Sequence, residues 1–274
     1  MKALISNRFG WIKGLALVAA LTIAGCATPP PADDKEAIAE YNEINDPLEP
    51  TNRAIFKANL FFDDAVLKPL AQGYRFVLPE PARDGIRNAL DNLRSPVVLL
   101  NDLLQGEWER AFQTVMRFCI NTTVGIGGLF DVASDLGIKA HDEDFGQTLA
   151  VWGAGEGPFL MLPLFGPSNI RDTVGLVVDS FSDPFTYYFQ NTGYEWANYT
   201  RTGLTALDKR SRNIELLDEL EKTSLDFYSA LRNLYRQRRA DEIRNGVPGA
   251  NTTAPGVSFQ FDDTTPKNET LLKN

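Results

Sequence analysis

The single histidine of the chain, His141, limits the catalytic chemistry that the sequence can support. A zinc site built from two or three imidazoles needs more histidines than the chain has. A Ser-His-Asp triad would have to use His141, and the sequence has no Gly-x-Ser-x-Gly segment to carry the nucleophile. His141 opens the acidic run His-Asp-Glu-Asp, which is interpreted as a solvated loop. The sequence therefore predicts no enzyme, no metal site and no cofactor.

Two glycine-rich stretches could in principle hold a phosphate group, Gly125-Ile126-Gly127-Gly128 and Gly153-Ala154-Gly155-Glu156-Gly157. Neither stretch completes Gly-x-Gly-x-x-Gly, neither follows a predicted strand, and neither contains the lysine of a P-loop. The glycines are more consistent with close helix packing, or with a backbone that approaches a ligand.

The elements that must position these residues are predicted to be helices. Apolar residues recur at three- and four-residue steps over 52–70, 82–93, 97–104, 107–123, 169–180 and 213–245. No strand-like alternation persists over several strands, so the fold class is predicted to be all-α. Segment 124–167, rich in glycine and proline, is expected to form short helices and irregular backbone. Aromatic residues crowd between Phe181 and Tyr199, which suits either an aromatic core or a surface where apolar and wet regions meet.

The N-terminus has the order of a secretory signal: Lys2, Arg8 and Lys13, then an apolar core over 14–23, then small residues. That core is too short to span a bilayer. The segment Ile-Ala-Gly-Cys at 23–26 resembles the lipobox of bacterial lipoproteins, in which the cysteine, here Cys26, is acylated. The alternative is an ordinary secreted protein with an incidental cysteine. Ala27, rather than an aspartate, favours the outer membrane by that resemblance.

Four segments follow from these patterns. Residues 1–25 are predicted to be a lipoprotein signal peptide, 26–45 a lipidated tether, 46–246 a helical domain and 247–274 a disordered tail. If Cys26 is acylated, Cys119 has no partner for a disulfide, and its apolar helical neighbours predict a buried thiol.

The charge of the chain excludes one class of partner. The net charge is −9, and three basic residues precede Cys26, so the chain from Cys26 onward carries about −12. Nucleic-acid binding depends on clustered Lys and Arg, so a nucleic-acid partner is not expected. Attachment to a membrane is expected to come from acyl chains and apolar contact instead.

A series of motifs gives a more specific indication. In order, they are Asp-Pro-Leu-Glu-Pro-Thr-Asn-Arg at 46–53, Pro-Ala-Arg at 81–83, Asn-Leu-Arg-Ser-Pro at 92–96, Asn-Asp-Leu-Leu-Gln-Gly at 101–106, Gly-Ile-Gly-Gly at 125–128, Phe-Asp-Val-Ala at 130–133, Asp-Phe-Gly-Gln-Thr-Leu at 144–149, Gly-Pro-Phe at 157–159 and Arg-Asp at 171–172. In this order and spacing they closely resemble the MlaA/VacJ family of outer-membrane lipoproteins, over roughly 46–190.

The resemblance implies a ring-like bundle of amphipathic and interfacial helices in the periplasm-facing leaflet of the bacterial outer membrane, with a central amphipathic channel. It also implies that the protein extracts mislocalised phospholipids from the outer leaflet and passes them to a soluble periplasmic carrier, which maintains lipid asymmetry. Members of the family associate with trimeric outer-membrane porins. The competing class is a structural or scaffolding lipoprotein that moves no lipid.

Segment 146–172 has the composition expected of the channel wall. The candidate channel and headgroup residues are Gly153, Gly155, Gly157, Pro163, Arg171 and Asp172. Arg171 could bind a lipid phosphate as a bidentate donor. The alternative is an Arg171–Asp172 pairing at the start of a helix, without a ligand.

A second candidate surface lies within 52–70. Its members are Ala58, Leu60, Phe61 and Phe62, which could face the membrane or the wall of a porin.

Overall fold

A computed structural model describes residues 30–31 and 34–245. The interpretations placed on Cys26, the signal peptide and the tail 247–274 lie outside the described residues. The fold is mainly helical, which confirms the predicted class. The helices are α1 (Lys35–Ile44), α2 (Glu49–Phe62), α3 (Lys68–Val77), α4 (Glu80–Gln105), α5 (Trp108–Thr123), α6 (Val132–Asp135), α7 (Phe145–Val151), α8 (Ile170–Ser182), α9 (Pro184–Asn191), α10 (Glu195–Arg212), α11 (Ile214–Thr223) and α12 (Phe227–Ile243).

The element boundaries differ from the predicted ones in four places. Helix α1 occupies 35–44 of the segment predicted as a tether, where no helix was expected, and the role of the segment as a tether stays a prediction. Helix α4 runs through Pro96, where a break was expected. The predicted segments include neither α9 nor α10, and the single helix expected over 213–245 divides into α11 and α12.

A two-stranded antiparallel hairpin replaces the irregular backbone expected between α7 and α8. Strand β1 (Phe159–Leu162) pairs with β2 (Gly166–Asn169) in the register Phe159↔Asn169 to Leu162↔Gly166. The hairpin, 159–169, has no β-branched residue and contains two prolines, so local propensity does not signal a strand. Contacts with α2 stabilise it instead.

The apolar core is small and lies where α2, β1 and α12 meet. Phe56, Phe159, Met161 and Tyr228 form it, with Phe56 and Tyr228 in edge-to-face contact at a centroid distance of 5.5 Å. Such aromatic pairs add to the free energy of burial.

Helices α7 and α8 approach each other closely enough that their backbones touch. A Cβ atom at Gly175 would lie 2.3 Å from the backbone nitrogen of Gly146, and one at Gly146 would lie 2.5 Å from Nη2 of Arg239. The absence of a side chain at these two glycines therefore permits the packing that brings Asp144 and Asp172 together.

Candidate functional site

The molecule has an inverted distribution of polar and apolar residues. Among the described residues, nineteen polar or charged residues are buried, against eleven hydrophobic ones. In soluble proteins, charged residues are almost never fully buried unless paired. More than thirty large hydrophobic residues in the same part of the chain are exposed. The interior is thus polar, and much of the surface is apolar.

Two helices carry continuous apolar stripes that face outward. On α5 and α8 their members follow steps of four, three and four residues, and we call them the outward stripes: Trp108, Phe112, Val115 and Cys119; and Ile170, Val174, Val177 and Phe181. Trp108 is 72 % exposed and Phe181 70 %. A helical period identifies a common face, and here that face is exposed along its length, from 39 % at Val115 to 72 % at Trp108. The buried thiol predicted for Cys119 is wrong, because the residue lies on an exposed stripe.

The inner faces of α4 and α7 are joined by a polar network. Thr148 Oγ1 donates a hydrogen bond to Asn101 Oδ1 at 2.8 Å, and Asn101 Nδ2 donates to Asp179 Oδ1 at 3.0 Å. The backbone N–H of Phe145 also donates to the Asp179 carboxylate. Burial raises the pKa of Asp179 despite these two donors. This network links α4, α7 and α8 through side chains that are satisfied without water.

The solvated loop predicted around His141 is also wrong, because three of its four side chains pack inward and only Asp142 is exposed. Glu143 is buried and accepts hydrogen bonds from Gln105 and Arg110, and its burial raises the pKa of its carboxyl. Nε2 of His141 lies 3.1 Å from Asp102 Oδ1 and 3.0 Å from Thr114 Oγ1. The carboxylate and the hydroxyl thus share one ring nitrogen, whereas a catalytic triad places them on opposite nitrogens.

A buried ion cluster joins α12 to the N-termini of α7 and α8. Arg239 binds Asp144 through Nη1 and Nη2 at 2.7 and 2.6 Å, and it binds Asp172 through Nε at 3.0 Å. Tyr235 also donates to Asp172, at 2.5 Å. Burial alone would raise the pKa of Asp144, but hydrogen bonds and charge from Arg239 hold it at about 2. This cluster fixes the end of the polar interior nearest the hairpin.

The sequence analysis does not find the cluster, because Arg239 is distant in the sequence from both Asp144 and Asp172. The signal that could have found it is the polar stripe Tyr228, Arg232, Tyr235 and Arg239, again at steps of four, three and four. Arg232 is buried and binds Asp46 at 3.0 Å. The core-facing side of α12 is therefore largely polar.

The structure places Arg171 and Asp172 in the first turn of α8. Asn169 caps the helix by accepting a hydrogen bond from the Asp172 N–H at 2.7 Å. Arg171 is 9 % exposed, and its Nε donates to Asp172 Oδ1 at 3.0 Å. This is the pairing that the alternative interpretation describes, and a lipid contact for Arg171 stays a prediction.

The other candidate channel residues lie on the path from α7 to α8. Gly153 has φ +90°, and a Cβ atom at Gly153 or Gly155 would meet nothing within 4 Å. Gly157 has φ +67° and packs against Ile170. Pro163 is exposed in the turn of the hairpin. These residues do not converge with Arg171 on one cavity, and their role in a channel remains a prediction.

The candidate membrane or porin face on α2 is divided by the structure. Ala58 and Phe61 are exposed, with Phe61 at 77 %, and Phe62 is partly exposed. Leu60 instead packs against the aromatic core. Three of the four residues are therefore accessible to a partner.

Two further features limit what the described residues can do. No group of three or more His, Cys, Asp and Glu side chains in this part of the chain is arranged to hold a metal ion. Its helices are also too short or too polar to cross a membrane.

A family model described as MlaA lipoprotein matches residues 44–242, which span α2 to nearly the end of α12. The chain belongs to the MlaA lipoprotein family. The match includes the polar network, the outward stripes and the hairpin, so these features belong to the MlaA domain itself.

Some of the similar proteins carry the family name, and others are uncharacterised. The intermembrane phospholipid transport system lipoprotein MlaA of Haemophilus influenzae is 34 % identical over 84 % of this chain and 90 % of its own length. An uncharacterised protein of Rickettsia typhi is 36 % identical over 72 % of this chain and 78 % of its own. A structure solved in a study of the maintenance of bacterial outer membrane lipid asymmetry is 32 % identical, covering 72 % of this chain and 98 % of that one, with a TM-score of 0.65.

Proposed function

We propose that this MlaA-family chain is anchored through acylated Cys26 in the periplasm-facing leaflet of the bacterial outer membrane. There it extracts mislocalised phospholipids from the outer leaflet and passes them through a central channel to a soluble periplasmic carrier. The resulting activity maintains lipid asymmetry. Relatives named as phospholipid transport lipoproteins support this proposal.

The observation that carries the proposal is the inverted distribution of residues. Burying apolar area stabilises a protein by about 25 cal/mol per Å² removed from water, so exposed stripes on two helices are unfavourable in water. The cost disappears if the outward stripes contact acyl chains. A helix with one apolar and one polar face lies along a bilayer rather than across it. The polar interior of the described residues then provides a route on which a headgroup could avoid hydrocarbon.

The headgroup route is proposed to follow the loop and hairpin between α7 and α8. Gly153 and Gly155 leave space beside the backbone, and irregular backbone at membrane depth is tolerated where it borders a polar cavity. Arg171 would have to exchange its bond to Asp172 for one to a lipid phosphate. Asp172 would retain Arg239 as a partner during that exchange.

A trimeric outer-membrane porin is the proposed partner within the membrane. Exposed Phe61 and Phe62 at the end of α2 offer an apolar surface of the kind that a porin wall or lipid could cover. The proposal commits the protein to transport and not to covalent chemistry, in agreement with the arrangement of His141, Asp102 and Thr114.

The experiment compares bacteria that lack this chain with the same cells carrying it at native level. The measurement is the amount of phospholipid in the outer leaflet that an added phospholipase can reach. We expect the chain to lower this amount and Arg171→Ala to restore it toward the level of the deletion. Arg171→Lys keeps the charge but not the bidentate geometry, so it should be intermediate.

Lys222→Ala is the matched control, since Lys222 is an exposed cation on α11. If the deletion leaves the outer leaflet unchanged, the chain has the scaffolding role instead. The headgroup role of Arg171 is wrong if, at equal protein level, Arg171→Ala lowers the amount of outer-leaflet phospholipid as much as the unaltered chain does.

A further inference from the structure

The outer edge of strand β1 is hydrogen-bonded by asparagine side chains. In the described part of the chain β1 pairs with one strand, β2. On its other edge, Asn52 Nδ2 donates to Phe159 O at 3.0 Å, and the Met161 N–H donates to Asn52 Oδ1 at 2.9 Å. Asn59 repeats the pattern, with Nδ2 donating to Leu162 O and the Leu164 N–H donating to Oδ1, both at 2.9 Å.

A third asparagine extends the row at its inner end. The side chain of Asn45 donates to Gly157 O at 2.6 Å, and its backbone carbonyl oxygen accepts from the Phe159 N–H at 2.9 Å. The three residues are seven positions apart, and we call Asn45, Asn52 and Asn59 the asparagine row.

The spacing of the row matches the two kinds of backbone that it joins. Seven residues of α-helix rise about 10.5 Å, and three residues of strand rise about 10 Å. Asn52 is hydrogen-bonded to the backbone of Phe159 and Met161. Asn59 is bonded to the backbone of Leu162 and Leu164, which lie three residues further along the chain. Seven residues are also nearly two helical turns, so Asn52 and Asn59 share one face of α2.

Asparagine is suited to this role because its amide has both a donor and an acceptor, as a peptide group does. An aspartate would lack the donor, and an apolar residue would lack both. The row thus takes the place of a third strand while leaving α2 helical. The positions of Asn52 and Asn59 on α2 therefore fix where the hairpin lies along the axis of that helix.

The outermost bond of the row holds a strained turn. Leu164 has φ +65°, a conformation that residues with a side chain rarely adopt. Its N–H is the one bound by Asn59. Leu164 and Phe165 are 66 % and 69 % exposed, so the turn presents two apolar side chains beside Pro163. Strained backbone that its surroundings hold in place is typical of functional sites.

We propose that Asn59 is a positioning residue for lipid movement, because it holds the turn Pro163–Phe165 at a fixed place on α2. The inference rests on the proposed function and adds a residue to it. Asn59 contacts no lipid in this account. It acts through the hairpin, and the other two members of the row hold the base of β1.

The test compares Asn59→Leu, which keeps the size but loses the amide, with Asn59→Gln, which keeps the amide. Lys57→Leu is the matched control, because it adds the same apolar side chain to an exposed position of α2. The full acylated chain is measured in native membranes. One readout is hydrogen exchange of the peptide spanning 160–168, and the other is the rate at which outer-leaflet phospholipid is lost.

We expect Asn59→Leu to speed exchange in this peptide about tenfold, the effect of losing a hydrogen bond. We expect it to slow lipid loss while peptides from α12 exchange as before. Asn59→Gln should recover part of both effects, and Lys57→Leu should change neither. If hydrogen exchange of the peptide spanning 160–168 is unchanged in Asn59→Leu, Asn59 does not hold the turn in place.

The two proposals fail in different ways. Faster exchange in Asn59→Leu with a normal rate of lipid loss would overturn the positioning role and leave the transport function intact. If the unaltered chain itself removes no lipid, the transport function is wrong, and with it the role of Asn59.

Discussion

At the scale of single residues, ion pairs stabilise the interior of this protein, as apolar packing stabilises the interior of soluble domains. Asp172 accepts from Arg171, Arg239 and Tyr235, and Asp144 accepts from Arg239. Removing one partner of a buried pair leaves an uncompensated charge, which is strongly destabilising. The cluster should therefore set both the stability of the molecule and its dependence on pH.

Asp144→Asn tests this dependence. Because the folded-state pKa of Asp144 is about 2, below its ordinary value of 3.8, its stabilising effect is complete above about pH 4 and is lost as the pH falls toward 2. We expect the variant to be less stable at neutral pH. The difference in free energy of unfolding from the unaltered chain should narrow by about 2 kcal/mol between pH 4 and 2.

The measurement is unfolding by denaturant in mild detergent at a series of pH values. Asp135→Asn controls for the loss of one negative charge, since Asp135 is exposed on α6. Two parallel curves for the unaltered chain and Asp144→Asn would show that Arg239 does not stabilise the charged form of Asp144.

At the scale of elements, the helices are arranged by what their inner faces can bond rather than by apolar stripes meeting each other. The close contact between α7 and α8 has glycine on both sides. It carries Asp144 and Asp172 to the same guanidinium, and it leaves the apolar stripe of α8 facing away from the protein. Packing and polarity at this contact are therefore linked.

Gly175→Ala tests the α7–α8 contact. A methyl group would lie 2.3 Å from the Gly146 nitrogen, so the helices must move apart, and we expect a loss of about 1–3 kcal/mol in the free energy of unfolding. Gly203→Ala is the control, because a Cβ there in α10 meets nothing within 4 Å. Because alanine lowers the backbone entropy of the unfolded chain, we expect Gly203→Ala to leave the free energy of unfolding unchanged or to raise it by about 0.5 kcal/mol. Equal stability of the two variants would contradict the close contact.

Periodicity identified most of the helices but not the direction in which their apolar faces point. The stripe of α5 follows the same spacing whether it meets protein or lipid, so Cys119 was expected inside and lies outside. The sequence of the hairpin does not alternate between polar and apolar residues. Its outer edge is hydrogen-bonded by Asn52 and Asn59, which lie more than a hundred positions away and give no local signal. The sequence also does not show which residues Arg239 binds, because Asp144 and Asp172 become neighbours only when α7 and α8 pack.

The candidate site was predicted in part. The motif at 171–172 marked the start of α8 and its ion pair, although the pair belongs to a larger cluster. The exposure of Ala58, Phe61 and Phe62 agrees with a partner face on α2, whereas Leu60 is oriented by the aromatic core. The asparagine row could have been noticed from its spacing of seven, but only the fold shows that a strand lies beside it.

At the scale of the whole molecule, the proposed transport function depends on which side of the protein faces lipid. An inverted distribution of residues is stable only if a medium other than water covers the outward stripes. The acyl chains of a bilayer can do so without a spanning helix, because the stripes lie on helix faces and the backbone within each helix is hydrogen-bonded. The polar interior then remains continuous with the aqueous side.

Photo-crosslinking in native membranes tests this claim most directly. A photoreactive side chain is placed at Phe112 or at Val174, one on each outward stripe, and at Lys222 on α11 as a control. The adducts are identified by mass spectrometry. The account predicts phospholipid adducts at Phe112 and Val174 and none at Lys222. Capture of protein or water alone at both stripe positions would contradict it, because the stripes would then not face lipid.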